Sequence, residues 1–517
     1  MSADREMLPR TFLVGAGTLV SRALGLVREM ITAPLLGTSG LLDLFLMAFM
    51  LPNLFRRLFG EGALRAAFLP LFARATEESP EEADRFFRTV MTALAALLGA
   101  LVGIGWIGCG VAALSGGLTE RGRLFCLLLA LMLPYLPLIC LSALAGAALN
   151  ARERFFVPAM APALLNVCWI LALALFGRRY DVRALAVGVL VAGVLQLGVL
   201  IPSLRRSGLS LRPIWDFGHA RLRRMVGLMA PVALGIGAVQ VNVMADRLIA
   251  YFCVPGDGAV SALHYGNRLM QFPLAVLGMA LATAVFPSFA TQAARGQREA
   301  LARTVNTALR TTVFLALPCM AVLLALGDPI VRLLFERNAF TALSTARTTR
   351  ILTFYALGLW AFSAIHVVAR AFYAMEDMRA PVRVACWMVG ANVALNLILV
   401  WPMREAGLAL ASSLTACGNL FWLLIRLRTR MGPLGARRAL VGAAKGVAAA
   451  AFAGTAAYYG WLGAAALLAG KGELSPARAI GALAVGLLLA GGVFALASWG
   501  LRAREFAELA AAFGRRT

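Results

Sequence analysis

Arg22 and Arg28 stand inside an apolar run at 11–36. Asp43 lies near the start of the next run, 41–59, and Arg56 and Arg57 lie at its end. Asp246 and Arg247 interrupt a run at 225–253, and Arg268 one at 259–288. A charged side chain at the centre of a lipid-facing helix costs roughly 2.5–3.5 kcal/mol, so the set together would cost of order 10 kcal/mol. These residues must therefore line a hydrated cavity or pair with one another. In the first two runs the arginines are opposed only by Glu29 and Asp43. Surplus guanidinium suits a doubly charged phosphate group, because arginine offers planar, bidentate donors. The competing reading is snorkelling to the interface, or a local bridge such as Arg28–Glu29. It weighs most for Arg57 and Arg247 and least for Arg22 and Arg28. Residues 22 and 28 are about 120° apart around a helix, so they share a cavity only if it is wide or the helix bends near Gly25.

The elements that must carry these charges follow from composition. Of 517 residues, 61% are hydrophobic and 14% charged, with a mean hydropathy of +0.80. Soluble domains run nearer 45–50% apolar and about 25% charged. A spanning helix takes roughly 20 apolar residues, so the chain can supply fourteen. This excludes a soluble enzyme, a secreted disulfide scaffold and a disordered protein. Fourteen apolar runs can be counted, the last two at 439–463 and 477–500; the first, second and seventh carry charge. The expected fold is an all-α polytopic membrane protein. The net charge of +24 reads as basic cytoplasmic loops and not as affinity for nucleic acid. Arginine clusters follow the even-numbered runs, at 56–88, 205–224 and 426–438, which predicts that both termini are cytoplasmic. Arg178 and Arg179 run against the trend. The eight cysteines form no CxxC or Cys/His cluster, so neither disulfides nor a cysteine metal site is expected. The N-terminus lacks the apolar core and cleavage site of a signal peptide.

An internal repeat is legible, as in many secondary transporters. ALNARERFFVP (148–158) aligns without a gap on AFYAMEDMRAP (371–381), and FLPLFARA (68–75) resembles VFPSFATQA (285–293). Runs 1–6 and 7–12 thus form two related six-helix lobes in the same orientation, with two helices outside the repeat. The predicted domains are 1–222, 223–432 and 433–517. Segments 61–78 and 501–517 read as amphipathic interfacial helices; a solvated helical tail is an equal reading for the second.

SRALGLVRE (21–29), LLDLFLMAFMLPNLFRRLFGEGALRAAFLPLF (41–72) and YGNRLMQFPLAVLGMALATAVFPSF (265–289) resemble the MurJ (MviN) family of lipid II flippases, in the multidrug/oligosaccharidyl-lipid/polysaccharide exporter superfamily. The likeness covers essentially the whole chain. It implies a V-shaped pair of lobes around a central cationic cavity, and a groove for a polyprenyl tail formed by the last two helices. It also implies that Arg22, Arg28, Asp43, Arg56 and Arg268 bind substrate. The resemblance further suggests a sodium site at Asp246, Asn392, Asn396 and Ser412, helped by a backbone carbonyl such as that of Leu408. Asn392 and Asn396 share a helix face, and these oxygens suit a hard cation. Asn396 stands where a relative can have an acid, which lowers the site's negative charge. Interhelical amide hydrogen bonding is the alternative.

The implied activity is translocation of an undecaprenyl-diphosphate-linked peptidoglycan precursor across the bacterial cytoplasmic membrane by alternating access. The implied partners are lipid II, membrane lipid and the cell-wall synthesis machinery. No catalytic residue is assigned, and no cofactor beyond sodium. There is no Walker A motif, and His219, His264 and His366 are isolated in sequence, so neither ATP nor a histidine constellation is indicated. Sodium and membrane potential remain open as energy sources. The alternatives are a flippase for another polyprenyl-linked glycan, a multidrug exporter, or a membrane glycosyltransferase built on the loop at 328–342. A drug-cation exporter would favour acids and aromatics over the arginines found here.

Overall fold

A computed structural model describes residues 21, 23–432, 436–469 and 475–514, and all regular structure among them is helical. Arg22 lies outside the described residues, as does most of the first half of the 11–36 run. Helix α1 covers 23–36. It is followed by α2 (Gly40–Phe55), a π-helical segment Arg56–Gly62, α3 (Ala63–Glu78), α4 (Pro80–Leu114), α5 (Glu120–Met132), α6 (Tyr135–Ala151), α7 (Phe156–Arg206) and α8 (Ala220–Cys253). Next come α9 (Ala259–Leu274), a second π-helical segment Ala275–Met279, α10 (Ala280–Ala294), α11 (Arg298–Phe335), α12 (Ala342–Leu357), α13 (Leu359–Ala374), α14 (Arg379–Met403) and α15 (Glu405–Met431). Then follow α16 (Ala436–Ala469), α17 (Pro476–Gly500) and α18 (Arg504–Gly514).

Nine helices among the described residues are long and apolar enough to cross a membrane, or ten if the α12–α13 pair, bent by 44°, is one span. The 51-residue α7 counts once, yet Asp181 (φ 46°) turns it near its middle, dividing it into two of the expected runs. The other three runs of the sequence count are the charged ones. Large apolar side chains such as Leu114, Leu175, Trp401 and Leu488 stand more than two-thirds exposed, a surface that water would not tolerate and a bilayer would.

The chain forms two compact units, and the division falls inside α8. One comprises the described residues to Met244 with Arg337–Ala339; the other comprises Ala245–Glu336 and the described residues from Phe340. The predicted boundary was 222/223. The core of the first unit gathers Phe68, Phe72, Phe86, Leu98, Leu144 and Leu204, with Phe68 stacked on Phe72 and Phe86 at 5.0 and 5.6 Å. In the second unit Phe289, Val305, Ala364, Val368, Phe372 and Leu427 do the same work.

The repeat recurs in the backbone. Glu153 and Glu376 both sit at φ 59°. The amide of Arg154 reaches the carbonyl of Leu149 at 2.9 Å, as that of Asp377 reaches Phe372 at 3.0 Å. Each closes a helix C-terminus by the Schellman pattern, with a glutamate where glycine would be free of strain. Asp181 and Arg404, at φ 46° and 54°, repeat this likeness at the same separation of about 223 residues. Phe72 and Phe289, within the second aligned pair, are both fully buried.

One expectation is corrected. Segment 61–78 is not an interfacial helix lying on a membrane: α3 continues from α2 through the π-helical turn. Its apolar face, Leu64, Phe68, Leu71, Phe72 and Ala75, is buried in the core of the first unit. Its charges, Arg74, Glu77 and Glu78, are exposed. The segment is amphipathic as read, but protein covers the face assigned to lipid.

Candidate functional site

Within the first unit, Arg28 is the centre of a closed network. It is 9% exposed, and the adjacent Glu29 is 1% exposed. One Nη of Arg28 donates to the Glu29 carboxylate and the other to Asn166 Oδ1 at 3.2 Å. The guanidinium lies over the Trp169 ring, 4.4 Å from its centroid. Trp169 is itself held: Nε1 donates to Thr32 Oγ1 at 3.0 Å, and Thr32 donates to the Arg28 carbonyl. Phe45 meets the indole edge-on at 5.1 Å. Asn166 Nδ2 donates to the Ser21 carbonyl at 3.1 Å, fixing the amide flip that presents its oxygen to Arg28. Arg28 Nε is buried with no partner among the described residues. A cation stacked on indole away from water gains about 2 kcal/mol or more. The network therefore holds its guanidinium in one place, with its charge matched by Glu29.

The other sequence candidates of this unit are placed separately. Asp43 sits in the first turn of α2 and is 3% exposed. Arg56 opens the first π-helical segment and grips Asn53 Oδ1 with Nε and Nη2 at 3.0 and 2.9 Å. Arg57 donates to Gln240 Oε1 at 3.3 Å. A π-helical insertion shifts the register of side chains along a helix, and such insertions cluster at functional sites. Here the insertion sets the direction in which Arg56 leaves the helix.

The second unit holds the other constellation. Asp246 Oδ1 accepts from Asn396 Nδ2 at 2.6 Å, and Asn392 Oδ1 accepts from the same nitrogen at 2.9 Å. Asn392 Nδ2 donates to Thr415 Oγ1 at 3.1 Å. Thr415, in turn, donates to the carbonyls of Ala411 and Ser412 at 2.8 and 3.0 Å. Tyr355 is near Ser412 and Asn267 and within the field of Asp246. Asp246, Asn396 and Asn392 thus form one chain of hydrogen bonds, and Ser412 joins it through the carbonyl that accepts from Thr415. Asn396 is fully buried, and its Oδ1 has no hydrogen-bond partner among the described residues. An orphaned amide oxygen beside a carboxylate is costly unless something electropositive approaches it. Arg268 is half-buried on α9, one residue from Asn267.

Sequence reasoning missed Asn166, Trp169, Tyr355 and Thr415. The usable signal was that an indole N–H or an amide in a spanning helix needs a partner; the identity of the partner was not readable. Outside the spans, Arg221 at the start of α8 is held by Glu78 and Glu82. These hydrogen bonds and charges raise its pKa further above the arginine range. Arg152, at the turn after α6, is lowered by burial and partly restored by Asp84.

Comparison with known proteins bears on what these constellations serve. The profile of the family described as "Lipid II flippase MurJ" matches residues 32–465. The chain is similar to a probable lipid II flippase MurJ of Vibrio cholerae, 32% identical over 438 residues that cover 81% of this chain and 82% of the relative. It is also similar to the lipid II flippase MurJ of Burkholderia cenocepacia, 34% identical over 434 residues, covering 81% and 84%. Among solved structures, a lipid II flippase MurJ in an inward closed conformation superposes with a TM-score of 0.78 at 24% identity, over 95% of this chain and 99% of the other. An inward-facing multidrug resistance MATE transporter of the MOP superfamily shares the fold, with a TM-score of 0.66 at 14% identity over 80% and 95%.

Proposed function

The chain belongs to the lipid II flippase MurJ family, and we propose that it carries lipid II from the cytoplasmic to the periplasmic leaflet by alternating access. The observation that supports this reading most is the extent of the match: relatives named for lipid II flipping align over four-fifths of the chain. The arginine excess of the first two runs fits that cargo and not a cationic drug. The protein is a transporter. The bacterial inner membrane is its place, with both termini in the cytoplasm on the evidence of the basic loops.

The physical task is to take a polar head and a diphosphate through about 30 Å of hydrocarbon while the lipid tail stays in the bilayer. Arg22, Arg56 and Arg268 supply charge for the diphosphate, and Asp43 supplies an acceptor for the sugar or peptide head. Arg28 belongs to this set with Glu29 attached, so it contributes a positioned donor group and no net charge. A negative-inside potential favours outward movement of an anion by about 2.3 kcal/mol per charge per 100 mV.

Sodium fits the second unit. Asp246, Asn392, Asn396 and Ser412 would hold it, and the orphaned Asn396 Oδ1 is the observation in favour. The ion would supply positive charge in the place where burial otherwise penalises a carboxylate. Capture of lipid II also places the protein beside the cell-wall synthesis machinery.

The reading is tested by depleting the resident flippase from a bacterium and expressing this chain. The expected result is restored growth and lipid II reaching the outer leaflet of spheroplasts. Insertion of the chain without either would overturn it.

A further inference from the structure

A cavity of about 350 Å³ lies at the ends of α16 and α17, lined by Arg310, Gly442, Lys445, Arg502, Arg504 and Glu505 among others. Its base is built. Arg310 places both Nε and Nη2 on Glu505 Oε1, at 2.8 and 2.7 Å, and the two side chains are 11% and 3% exposed. A Cβ on Gly442 would stand 2.3 Å from that carboxylate oxygen, so a larger residue there would push the Glu505 carboxylate aside. This contact pins the first turn of α18 in place, and the tail is anchored rather than free.

The charges above that base do not balance. Arg310 is matched by Glu505, and Arg504 by Glu508 at 3.1 Å. Lys445 and Arg502 have no acidic partner among the described residues; Lys445 Nζ donates to the Arg502 carbonyl at 3.2 Å. Arg502 adopts φ 51°. It closes α17 with the Ala503 amide on Ser498 O at 2.8 Å, a position where glycine is the unstrained choice. A left-handed arginine is strained, and such outliers gather where a side chain is needed for something other than folding. Two cations without an acidic partner among the described residues, one forked and one a point charge, suit a lipid phosphodiester, whose charged non-bridging oxygens can accept from the guanidinium fork and from the ammonium together.

The surroundings identify the source. Leu440, Val441, Leu496 and Trp499, on the same helix ends, are 51–74% exposed, and exposed tryptophan with aliphatic neighbours marks the membrane–water boundary. We propose that this cavity binds the phosphate of an anionic membrane lipid, held by Lys445 and Arg502 above the Arg310–Glu505 pair. The site lies within the second unit and does not depend on how cargo is moved.

The test uses the full chain in nanodiscs of phosphatidylcholine, titrated with phosphatidylglycerol. Retained lipid is read by native mass spectrometry and unfolding by a thermal ramp. Phosphatidylglycerol should be retained and should raise the unfolding temperature, and Lys445→Gln with Arg502→Gln should weaken retention at least tenfold. Arg502→Gly is the discriminating variant. It relieves the left-handed strain, so in phosphatidylcholine it should unfold at the same or a higher temperature while still losing phosphatidylglycerol. Equal retention by the parent chain and both variants overturns the proposal. Stabilisation by inorganic phosphate alone, matching that by the lipid, overturns the lipid source and leaves a soluble phosphate site.

Discussion

Aligned on their last residues, Leu36 and Cys253, helices α1 and α8 place Glu29 on Asp246 and Ala33 on Ala250, both alanines fully buried. The separation that pairs Glu153 with Glu376 puts Trp169 on Asn392, and Val189 and Ala192 on Ser412 and Thr415. The two halves thus hold a carboxylate at one point of the repeat in two different environments. Beside Glu29 is the Arg28 guanidinium, itself stacked on the Trp169 indole. Beside Asp246 is the Asn396 amide, which leads on to Asn392 and Thr415, and the Arg247 charge acts on it as well. The first half carries its cation on its own chain. The second presents oxygens that an exchangeable cation could use. The same backbone occurs twice, and a few substitutions separate an arginine–glutamate pair from an amide-bonded carboxylate, the group for which we propose sodium.

The contrast is broken most severely at Arg28. Arg28→Ala removes the guanidinium bonded to the buried Glu29 carboxylate, and removing one partner of a buried pair costs about 3–5 kcal/mol. Thermal unfolding in detergent should fall accordingly, and complementation should be lost. Arg28→Met with Glu29→Gln should recover most of the stability, because a well-packed neutral pair is often as stable as the ionic one. A double variant as unstable as the single one would mean that charge matching is not what Glu29 does.

In the second half the contrast is sharpened by sodium. An ion that binds the folded state at one hundred times its dissociation constant adds about 2.7 kcal/mol. The unfolding temperature should therefore rise with sodium at constant ionic strength, using choline as the replacement. Asp246→Asn and Asn396→Leu should each abolish that rise. In Arg28→Ala, sodium should restore little, since Val189, Ala192 and Trp169 supply no oxygen where Ser412, Thr415 and Asn392 do. A sodium response equal in the parent chain and Asp246→Asn would show that Asp246 is held by its amides alone.

Much of this was readable in advance. Helix type followed from the apolar runs, the repeat from the match of 148–158 with 371–381, and the family likeness from the motifs at 21–29, 41–72 and 265–289. That likeness pointed to Asp246, Asn392, Asn396 and Ser412, and spacing alone put Asn392 and Asn396 on one helix face. What was not legible lies in contacts far apart in sequence: Arg28 meets Asn166 and Trp169 across about 140 residues. A lone arginine in an apolar run says that it needs a partner without saying which. Amphipathicity likewise told that α3 has an apolar face, but not that Phe68 and Phe72 would turn it to protein. The π-helical segments carry no signal of their own, being a register shift forced by packing.

The smallest effect tests whether the two halves are alike where they are not specialised. Glu153 and Glu376 both hold φ 59° at the turn after a helix, and both turns close by the same hydrogen bonds. In that region an L-residue is strained by roughly 1–2 kcal/mol and glycine is not. Glycine also loses more freedom on folding, which offsets part of the gain. Glu153→Gly and Glu376→Gly should each stabilise by about 1 kcal/mol at most. The gains should add, because the turns lie in different units. Thermal unfolding of the two single variants and the double variant measures this directly. Equal and additive gains mean that both glutamates are tolerated residues in a duplicated turn, and that the divergence between the halves is concentrated around Glu29 and Asp246. A loss at Glu376 with a gain at Glu153 would locate a second divergence, in the turn where Asp377 holds Arg430 at 3.2 Å and its counterpart Arg154 instead donates to a backbone carbonyl.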